Sequence, residues 1–440
     1  MEFSSLFVKL KLLYPLQLLN LVRYMDEIEQ IRKDFPMIGN NENVIYFDNA
    51  ATSLKPKCVI DKIVEYYENY SVNSGRGSYD ISLLLDDKIE SCRRHVSNFI
   101  NASSKNEIVF TSGTTEGLNL VVKGYLENQL QEGDIILTTK AEHASLLLPL
   151  MSVCKNKKAI IKYVSLNKNG TINLEHLKDS MSEKVKAVVI SHISNVIGSI
   201  NPIKEISDIV HKYSAVVIVD GAQSAPHIKI DVRDLDCDVF AFSAHKMCGP
   251  TGLGILYGKM DVLNKTQPLI VGGGNNVNYF SDGQYFLKNA PYKFESGTLP
   301  LAQIIAFDTS LTYLEKIGIN IISEYETELK DYLISRLKIL KNIKVYNPEA
   351  NTCLLTFNIK GVYGSDAGKW FNANGIAVRT GQHCTRLLID EFQTDSTIRV
   401  SLYFYNTFEE IDKFIEVCRS ATRDNIYNLI FNNSKENKNV

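Results

Sequence analysis

The 440-residue chain has almost no net charge and a single tryptophan, and it lacks paired cysteines. Lys and Arg total 48 against 50 Asp and Glu, so no electrostatic feature points to nucleic acid or an anionic membrane as a partner. The eight cysteines are scattered without a C-x-x-C pair, which predicts neither a disulfide framework nor a metal site and makes a reducing cytoplasm the expected location. No G-x-G-x-x-G follows the first strand pattern, which disfavours a nicotinamide-binding Rossmann enzyme.

The N-terminus carries an apolar run that is too short to span a bilayer. Residues 12–22 are uncharged, but Pro15 interrupts them and no small-x-small cleavage site follows, which disfavours a signal peptide. We interpret residues 1–24 as an extension of uncertain role, with a membrane-surface anchor as the less favoured alternative.

The middle of the chain alternates between strand and helix patterns from residue 45 to about 310. Val216 to Val219 are four consecutive β-branched residues, a run typical of a strand buried on both faces of a parallel sheet. The alternation predicts an α/β fold with a mostly parallel sheet between helices. A mixed pattern from about residue 316 onward predicts a smaller second domain.

Two charged residues follow neighbouring strands of this predicted sheet. Asp220 ends one buried strand, and Ser243, His245 and Lys246 follow the next, over residues 239–242. The carboxyl ends of strands are where open α/β sheets bind ligands. A lysine that forms a Schiff base, with an aspartate that holds the pyridine nitrogen protonated, suits pyridoxal phosphate (PLP). A surface lysine and a turn aspartate fit the same two residues.

Other strand ends and loops supply further candidates, each with a plainer interpretation. Thr114 and Thr115 lie at the first turn of a predicted helix, where free N–H groups favour an anion, although a helix cap has the same sequence. His143 follows a strand and is a candidate for stacking on a cofactor ring or for proton transfer, although most lone histidines are only packed or exposed. Asn195 follows another strand, and Arg76 lies between two glycines on a loop, where it either meets an anion or is solvated.

A second constellation surrounds Cys384. This cysteine follows His383 and lies five residues after Arg379, and nearby positive charge raises the thiolate fraction that a nucleophile needs. Arg379 and Arg399 are candidates for clamping a substrate carboxylate. A buried cysteine with surface arginines is the alternative.

The motifs together resemble the fold-type I PLP enzymes of the class V aminotransferase family, and most closely the SufS-type (group II) cysteine desulfurases. The similarity runs from about Phe35 to Cys418 and rests on the order and spacing of seven short motifs: Y-F-D-N-A-A, G-T-T-E-G, S-N-V-I-G, V-D-G-A-Q, S-A-H-K-x-x-G-P-T-G-x-G, F-E-S-G-T and V-R-T-G-Q-H-C. The chain departs from the family pattern at Gly75, Tyr79, Ala144, Leu299-Pro300 and Gln382.

The resemblance implies a role for each candidate. Lys246 is the Schiff-base lysine, Cys384 accepts sulfur and His143 stacks on the ring. The remaining cofactor-binding residues are Thr114, Asp220 at the pyridinium nitrogen, Gln223 at the phenolic oxygen, and a phosphate set of Thr115, Ser243, His245 and, from the other subunit of a homodimer, Thr298. The implied substrate-binding residues are Arg399, Asn195, Arg379 and Arg76.

The resemblance also implies the fold, the reaction and the partners. The fold is a large PLP-binding domain over residues 45–315 with a mostly parallel seven-stranded sheet, and a smaller α+β domain over residues 316–425 that carries the Cys384 loop. Residues 25–44 pack near the small domain, and residues 426–440 form a disordered tail. The reaction converts L-cysteine to L-alanine and passes sulfur through a cysteine persulfide to a SufE- or SufU-type acceptor, for iron–sulfur cluster assembly or other sulfur trafficking.

Two other functions fit parts of the sequence. A selenocysteine lyase or cysteine sulfinate desulfinase uses the same scaffold with less need for Cys384. A non-catalytic dimeric scaffold is disfavoured because Lys246, Asp220, His143, Cys384 and Arg399 are all present.

Overall fold

The computed structural model describes residues 28–75 and 77–436. The predicted extension over residues 1–24 and Arg76 therefore lie outside the described residues. The strands are β1 Ile45–Tyr46, β2 Ile108–Thr111, β3 Ile135–Thr138, β4 Ile160–Tyr163, β5 Val185–Ser191, β6 Val216–Asp220, β7 Val239–Ser243, β8 Gly254–Gly258, β9 Asn276–Tyr279, β10 Tyr285–Leu287, β11 Ile343–Val345, β12 Leu354–Ile359, β13 Ile376–Ala377, β14 Arg379–Gly381 and β15 Thr397–Ser401.

Fifteen α-helices of the described residues are numbered here; a further three-residue helix, Glu127–Gln129, and short 3-10 and π turns continue some of them. They are α1 Pro36–Asn40, α2 Lys57–Asn69, α3 Asp80–Phe99, α4 Thr114–Val121, α5 Ala144–Lys157, α6 Leu174–Ser180, α7 Ile203–Val210, α8 Val232–Leu235, α9 Met260–Lys265, α10 Leu301–Ile317, α11 Ile319–Leu337, α12 Gly364–Ala373, α13 Arg386–Glu391, α14 Phe408–Ser420 and α15 Arg423–Glu436. Gly318, whose φ of 96° ends α10, separates this helix from α11.

The predicted parallel sheet is confirmed as seven strands in the order β2-β8-β7-β6-β5-β3-β4. All neighbouring pairs are parallel except those of β8, which is antiparallel to both β2 and β7. The central strands consist of buried β-branched and aromatic residues, because helices cover both faces of the sheet. Asp220 and Ser243 end the adjacent strands β6 and β7 at the same edge.

A second sheet lies in the C-terminal part and has four antiparallel strands in the order β11-β12-β15-β14. The short strand β1 pairs with β13 in parallel, and Asp48 forms a bridge with Ser401. Residues 45–48 therefore contact the C-terminal part, although the sequence places them in the large domain. The boundary between residues 315 and 316 stays a prediction; the two sheets lie on either side of it.

The two ends of the chain pack against the C-terminal part. The Phe35 ring lies 4.6 Å from that of Tyr405, and Arg32 Nη2 pairs with Glu410 Oε1 at 2.9 Å; the packing of residues 25–44 as a segment stays a prediction. The tail predicted to be disordered from residue 426 is corrected, because α15 continues to Glu436. Ile426 is fully buried there, and Ile430 packs against the same core.

No helix within the described residues is long and apolar enough to cross a membrane.

Candidate active site

A cavity of about 330 Å³ lies at the carboxyl ends of β5, β6 and β7, facing β14 and β15 of the smaller sheet. Ligand pockets of proteins have this size, and open α/β sheets place them at this edge. Nearly all the predicted site residues of the described chain line it: Thr114, Thr115, His143, Asn195, Asp220, Gln223, Ser243, His245, Lys246, Arg379, Cys384 and Arg399.

One end of the cavity is a cluster of hydroxyl groups around the start of α4, which we call the cofactor end. Ser243 Oγ accepts from the Thr114 N–H at 2.8 Å and shares a second hydrogen bond with Thr114 Oγ1 at 2.6 Å. Thr115 Oγ1 shares a hydrogen bond with Ser145 Oγ at 2.8 Å. A Cβ at Gly254 would collide with the backbone of Gly113, so β8 needs glycine there to bring the strand against this turn. The first turn of a helix with several hydroxyls around it is suited to an anion such as phosphate.

The floor of the cavity carries the lysine and the aspartate that the sequence predicts. Burial lowers the pKa of Lys246 to about 8, although the nearby Asp220 opposes the shift. Asp220 is 5% exposed, and burial raises the pKa of its carboxyl while the Ala222 N–H, 2.9 Å from Oδ1, opposes this. Gln223 Nε2 donates to the Ala50 carbonyl at 2.9 Å, which fixes the amide plane beside the cavity. A lysine with this pKa exchanges protons readily near neutral pH.

The histidines of the cavity are neutral at neutral pH. Burial lowers the pKa of His143 to about 4, and Lys246 and Arg399 add to the effect. His143 caps α5, because its Nδ1 accepts from the Ser145 N–H at 3.1 Å. Burial likewise lowers the pKa of His245 to about 4. A neutral ring is suited to stacking, whereas an imidazolium would add charge beside Lys246.

The opposite end of the cavity, which we call the substrate end, carries two arginines. Arg379 and Arg399 are direct cross-strand neighbours on β14 and β15. The Arg399 side chain is 4% exposed, and that of Arg379 is 50% exposed. Arg399 Nη1 donates to the Asn195 carbonyl at 3.1 Å, and its buried Nε has no hydrogen-bond partner within the described residues. An orphaned buried donor beside a cavity is suited to an anionic ligand group.

Cys384 lies on a turn that several hydrogen bonds attach to the large sheet. Its side chain is exposed, and both His383 and Cys384 have left-handed backbone angles, with φ of 50° and 56°. The Ala144 N–H donates to the Cys384 carbonyl at 2.7 Å. Asn195 Nδ2 donates to the His383 carbonyl at 2.7 Å, while Asn195 Oδ1 accepts from Thr385 Oγ1 at 3.0 Å. These bonds hold two conformations that non-glycine residues rarely adopt, and they fix the thiol beside the cavity.

One predicted residue of the described chain is not brought to this cavity. Thr298 is exposed and lines a second cavity together with Arg93, Lys288 and Glu295. Its predicted contact with phosphate requires a second subunit and stays a prediction. Arg76 lies outside the described residues, but its neighbour Gly75 also lines the second cavity.

The structure adds residues that the sequence analysis missed. Asp48 Oδ2 pairs with Arg379 Nη2 at 2.7 Å, and Asp48 Oδ1 lies 3.3 Å from Arg399 Nη2. Ser145 joins Thr115 to His143 through its hydroxyl. Asp48 lies within the motif Y-F-D-N-A-A, and Ser145 lies two residues after His143. These positions are the sequence signals that could have identified the two residues. The arginine partners of Asp48 are distant from it in the sequence, and Thr115, a partner of Ser145, lies on another helix.

The arrangement fits pyridoxal phosphate with an amino acid beside it. The hydroxyl cluster and the first turn of α4 would hold the phosphate, and Asp220 the ring nitrogen. Lys246 would form the covalent link, with His143 against the ring. The substrate carboxylate would meet the orphaned Nε side of Arg399.

Comparison with known proteins identifies the family. The model of the aminotransferase class-V family matches residues 45–414. The chain belongs to the aminotransferase class-V family. The predicted family and fold class are therefore confirmed, whereas the SufS-type subgroup stays a prediction.

Relatives of this family member are described as cysteine desulfurases. A probable cysteine desulfurase of Halalkalibacterium halodurans is 44% identical over 386 residues, which cover 87% of this chain and 95% of the relative. The cysteine desulfurase of Haloferax volcanii is 36% identical over 90% of this chain and 97% of its own. The apo cysteine desulfurase of Thermococcus onnurineus has a TM-score of 0.85 at 34% identity and covers 89% of this chain and 97% of that one.

Proposed function

We propose that this class-V family member is a PLP-dependent cysteine desulfurase. It converts L-cysteine to L-alanine: the substrate carbon–sulfur bond breaks, a sulfur–sulfur bond forms at Cys384, and the two thiol-derived protons stay with alanine and the persulfide. The observation that carries the proposal is the convergence of Lys246, Arg399 and the exposed Cys384 on one cavity. Desulfurase relatives at 36–44% identity over most of the chain support it.

The cofactor makes the chemistry of this site possible. When bound, pyridoxal phosphate acts as an electron sink for the bond-breaking at the substrate amino acid. The contacts of this chain that would hold it are the hydroxyls of Thr114, Thr115 and Ser243, the ring of His143 and the carboxylate of Asp220. Each of these side chains lines the cavity.

Lys246 Nζ is the group that moves the substrate Cα proton. Its pKa of about 8 leaves a useful fraction of neutral amine at neutral pH, which a lysine with an ordinary pKa would not have. The neighbouring Asp220 limits the downward shift. The same nitrogen can therefore accept a proton and return it.

The substrate end positions the amino acid against the thiol. Arg399 binds the α-carboxylate and is held by Asp48 and the Asn195 carbonyl. The fixed turn then presents Cys384 Sγ to the substrate sulfur. Holding both reactants in place supplies much of the rate, because it removes the entropy cost of the encounter.

The location, the acceptor protein and the oligomeric state belong to the same proposal. All eight cysteines are free, which supports a reducing compartment and so the cytoplasm. The exposed position of Cys384 supports transfer of the persulfide sulfur to an acceptor protein of SufE or SufU type. A homodimer would bring Thr298 of the second subunit to the phosphate. The sulfur would serve iron–sulfur cluster assembly or other sulfur trafficking.

The test is the release of alanine and sulfide from L-cysteine by PLP-loaded protein with a thiol reductant. Wild type is compared with Cys384→Ala and with Cys58→Ala, a change at the other exposed cysteine. We expect both products from wild type and Cys58→Ala, and neither from Cys384→Ala. Equal cysteine turnover in all three proteins would overturn the role of Cys384 and favour a selenocysteine lyase or cysteine sulfinate desulfinase activity. The same assay measures these activities when selenocysteine or cysteine sulfinate replaces L-cysteine.

A further inference from the structure

The carbonyl group of His245 accepts hydrogen bonds from four donors. This carbonyl belongs to the peptide that precedes Lys246, in the turn over residues 244–248 that we call the lysine turn. Three of the donors are neutral: the Ser53 N–H at 3.1 Å, Ser53 Oγ at 3.1 Å and Thr52 Oγ1 at 3.0 Å. A carbonyl oxygen has only two lone pairs, so four donors surround it and restrict the rotation of the whole peptide group.

The fourth donor is the ammonium of Lys55, whose Nζ lies 3.0 Å from the His245 carbonyl oxygen. Nζ also donates to Thr52 Oγ1 at 2.9 Å and to the Ser53 carbonyl, so its three N–H groups all have oxygen acceptors. Burial lowers the pKa of Lys55 to about 8, and no carboxylate of the described residues is among the groups that act on this pKa. A hydrogen bond from a charged donor is about twice as strong as one between neutral groups. At neutral pH we therefore expect the Lys55 contact to be the strongest of the four.

The segment that carries these donors, residues 49–55, is itself attached on two sides. The Leu54 N–H donates to the Tyr405 hydroxyl at 2.8 Å, which connects the segment to the C-terminal part of the chain. The Cys248 N–H donates to Ser53 Oγ at 2.8 Å, which connects it a second time to the lysine turn. The donors are thus fixed independently of the carbonyl that they hold.

We propose that Lys55 is a positioning residue for Lys246: its ammonium holds the His245 carbonyl, and with it the lysine turn, in the orientation that presents Lys246 Nζ to the cavity. Lys55 is not among the described residues that line the cavity, so its effect reaches Lys246 through the backbone. The inference rests on the proposed function for the role of Lys246 as the lysine that links to the cofactor.

The test compares wild type with Lys55→Met, which keeps an unbranched side chain and removes the ammonium. The first measurement is the rate at which the full-length protein, freed of cofactor, forms its covalent link to added pyridoxal phosphate, followed by visible absorbance. We expect this rate to fall about tenfold, the size of one lost charge-assisted hydrogen bond. The second is turnover of L-cysteine, where kcat should fall by a similar factor and KM should stay unchanged, because the substrate end keeps its contacts.

Three further variants separate positioning from stability. Lys55→Arg keeps a charged donor and should restore the rate of attachment to within about threefold of wild type. Lys55→Gln keeps a neutral donor and should give an intermediate rate; it tests the same claim if Lys55→Met does not fold. Lys293→Met is the matched control, because burial also lowers the pKa of Lys293, whose Nζ donates to the Asn264 carbonyl at 3.1 Å, and it should behave as wild type.

Attachment at the wild-type rate in Lys55→Met, or in Lys55→Gln if the first variant does not fold, would overturn the inference and leave Lys55 a contact that only stabilises the fold. An equal loss in Lys293→Met would overturn it as well. The proposed function is judged separately, by alanine release from L-cysteine in wild type. If wild type links to the cofactor but releases no alanine, the proposed reaction is wrong, and the attachment rates still decide the role of Lys55.

Discussion

The two ends of the cavity are built in different ways. The cofactor end consists of turns that directly follow strands of the large, mostly parallel sheet, and its groups are hydroxyls, neutral histidines and one helix N-terminus. The substrate end joins residues from three distant parts of the chain: Asp48, Asn195 and the segment 379–399. The cofactor end thus follows from the topology of the sheet, whereas the substrate end depends on the contact between the two parts of the chain.

This difference separates two kinds of function. A cofactor that stays bound would be held mainly by residues that follow strands of one sheet. A substrate that binds and leaves would be held by charged groups, and the charges of Arg379 and Arg399 on the smaller sheet are balanced by Asp48, which bridges to the same sheet. Changes at the cofactor end should therefore abolish the chemistry, and changes at the substrate end should alter affinity, selectivity or sulfur transfer.

The largest expected effect is at Lys246. Lys246→Ala should lower alanine formation by at least about a thousandfold, because it removes both the covalent link and the proton-transfer group. The measurement is turnover together with the visible absorbance of the bound cofactor. Lys293→Ala is the matched control, because burial also lowers the pKa of Lys293 although this lysine is not part of the cavity lining. Loss of the absorbance in both variants would contradict the assignment of Lys246.

Arg399 should show the next largest effect. Arg399→Lys keeps the charge but loses the planar fork that contacts both Asp48 and the substrate, and kcat/KM for L-cysteine should fall about a hundredfold. The loss should lie mainly in KM. The control is Arg386→Lys, which changes an exposed arginine paired with Asp390 on α13. A wild-type KM in Arg399→Lys would exclude Arg399 as the carboxylate ligand.

The sequence predicted the cofactor end better than the substrate end, for a physical reason. Val216 to Val219 and residues 239–242 are strands that their own composition identifies, so Asp220 and Lys246 could be placed at one edge of the sheet. The ion pairs of Asp48 join residues more than 300 positions apart in the sequence, which no local pattern indicates. The role predicted for Asn195 was substrate binding, yet its side chain is engaged by the Cys384 turn. The 20-residue helix α3 was not predicted at all.

The buried histidines should make the fold sensitive to acid. Burial lowers the pKa of His192 to about 4 from 6.5, so the unfolded chain binds more protons and the free energy of unfolding rises with pH between these values. Lowering the pH from 7 to 5 should cost roughly 2 kcal/mol at this residue. His192→Asn should lose that part of the pH dependence in denaturant titrations at the two pH values. Burial raises the pKa of Glu142 to about 7, so this carboxyl makes the free energy of unfolding fall with rising pH, the opposite trend to His192. Its contribution is the same in wild type and in His192→Asn. Parallel pH dependence in wild type and variant would refute the prediction.

Asn195 should show the smallest effect, and it should be confined to the Cys384 turn. Asn195→Ala removes two hydrogen bonds to that turn, each worth about 1 kcal/mol, so the rate of persulfide formation should fall by up to about thirtyfold. Binding of 3-mercaptopropionate, which reproduces cysteine without the amine and is not turned over, should change little, because the Asn195 carbonyl still accepts from Arg399. The control is Asn156→Ala, whose side-chain amide donates to Glu127 at the surface at 3.3 Å. Weaker binding with an unchanged transfer rate would restore the substrate-binding role.

The most direct test of the central claim is a single turnover with sulfur-labelled L-cysteine, in the absence of reductant and acceptor protein. The products are alanine, measured by amino acid analysis, and protein-bound sulfur, located by mass spectrometry of peptides. We predict one alanine for each active site and the gain of one labelled sulfur atom on the peptide that contains Cys384. Alanine formed without labelled sulfur on that peptide, or labelled sulfur on another cysteine, would contradict the assignment of Cys384 as the sulfur acceptor.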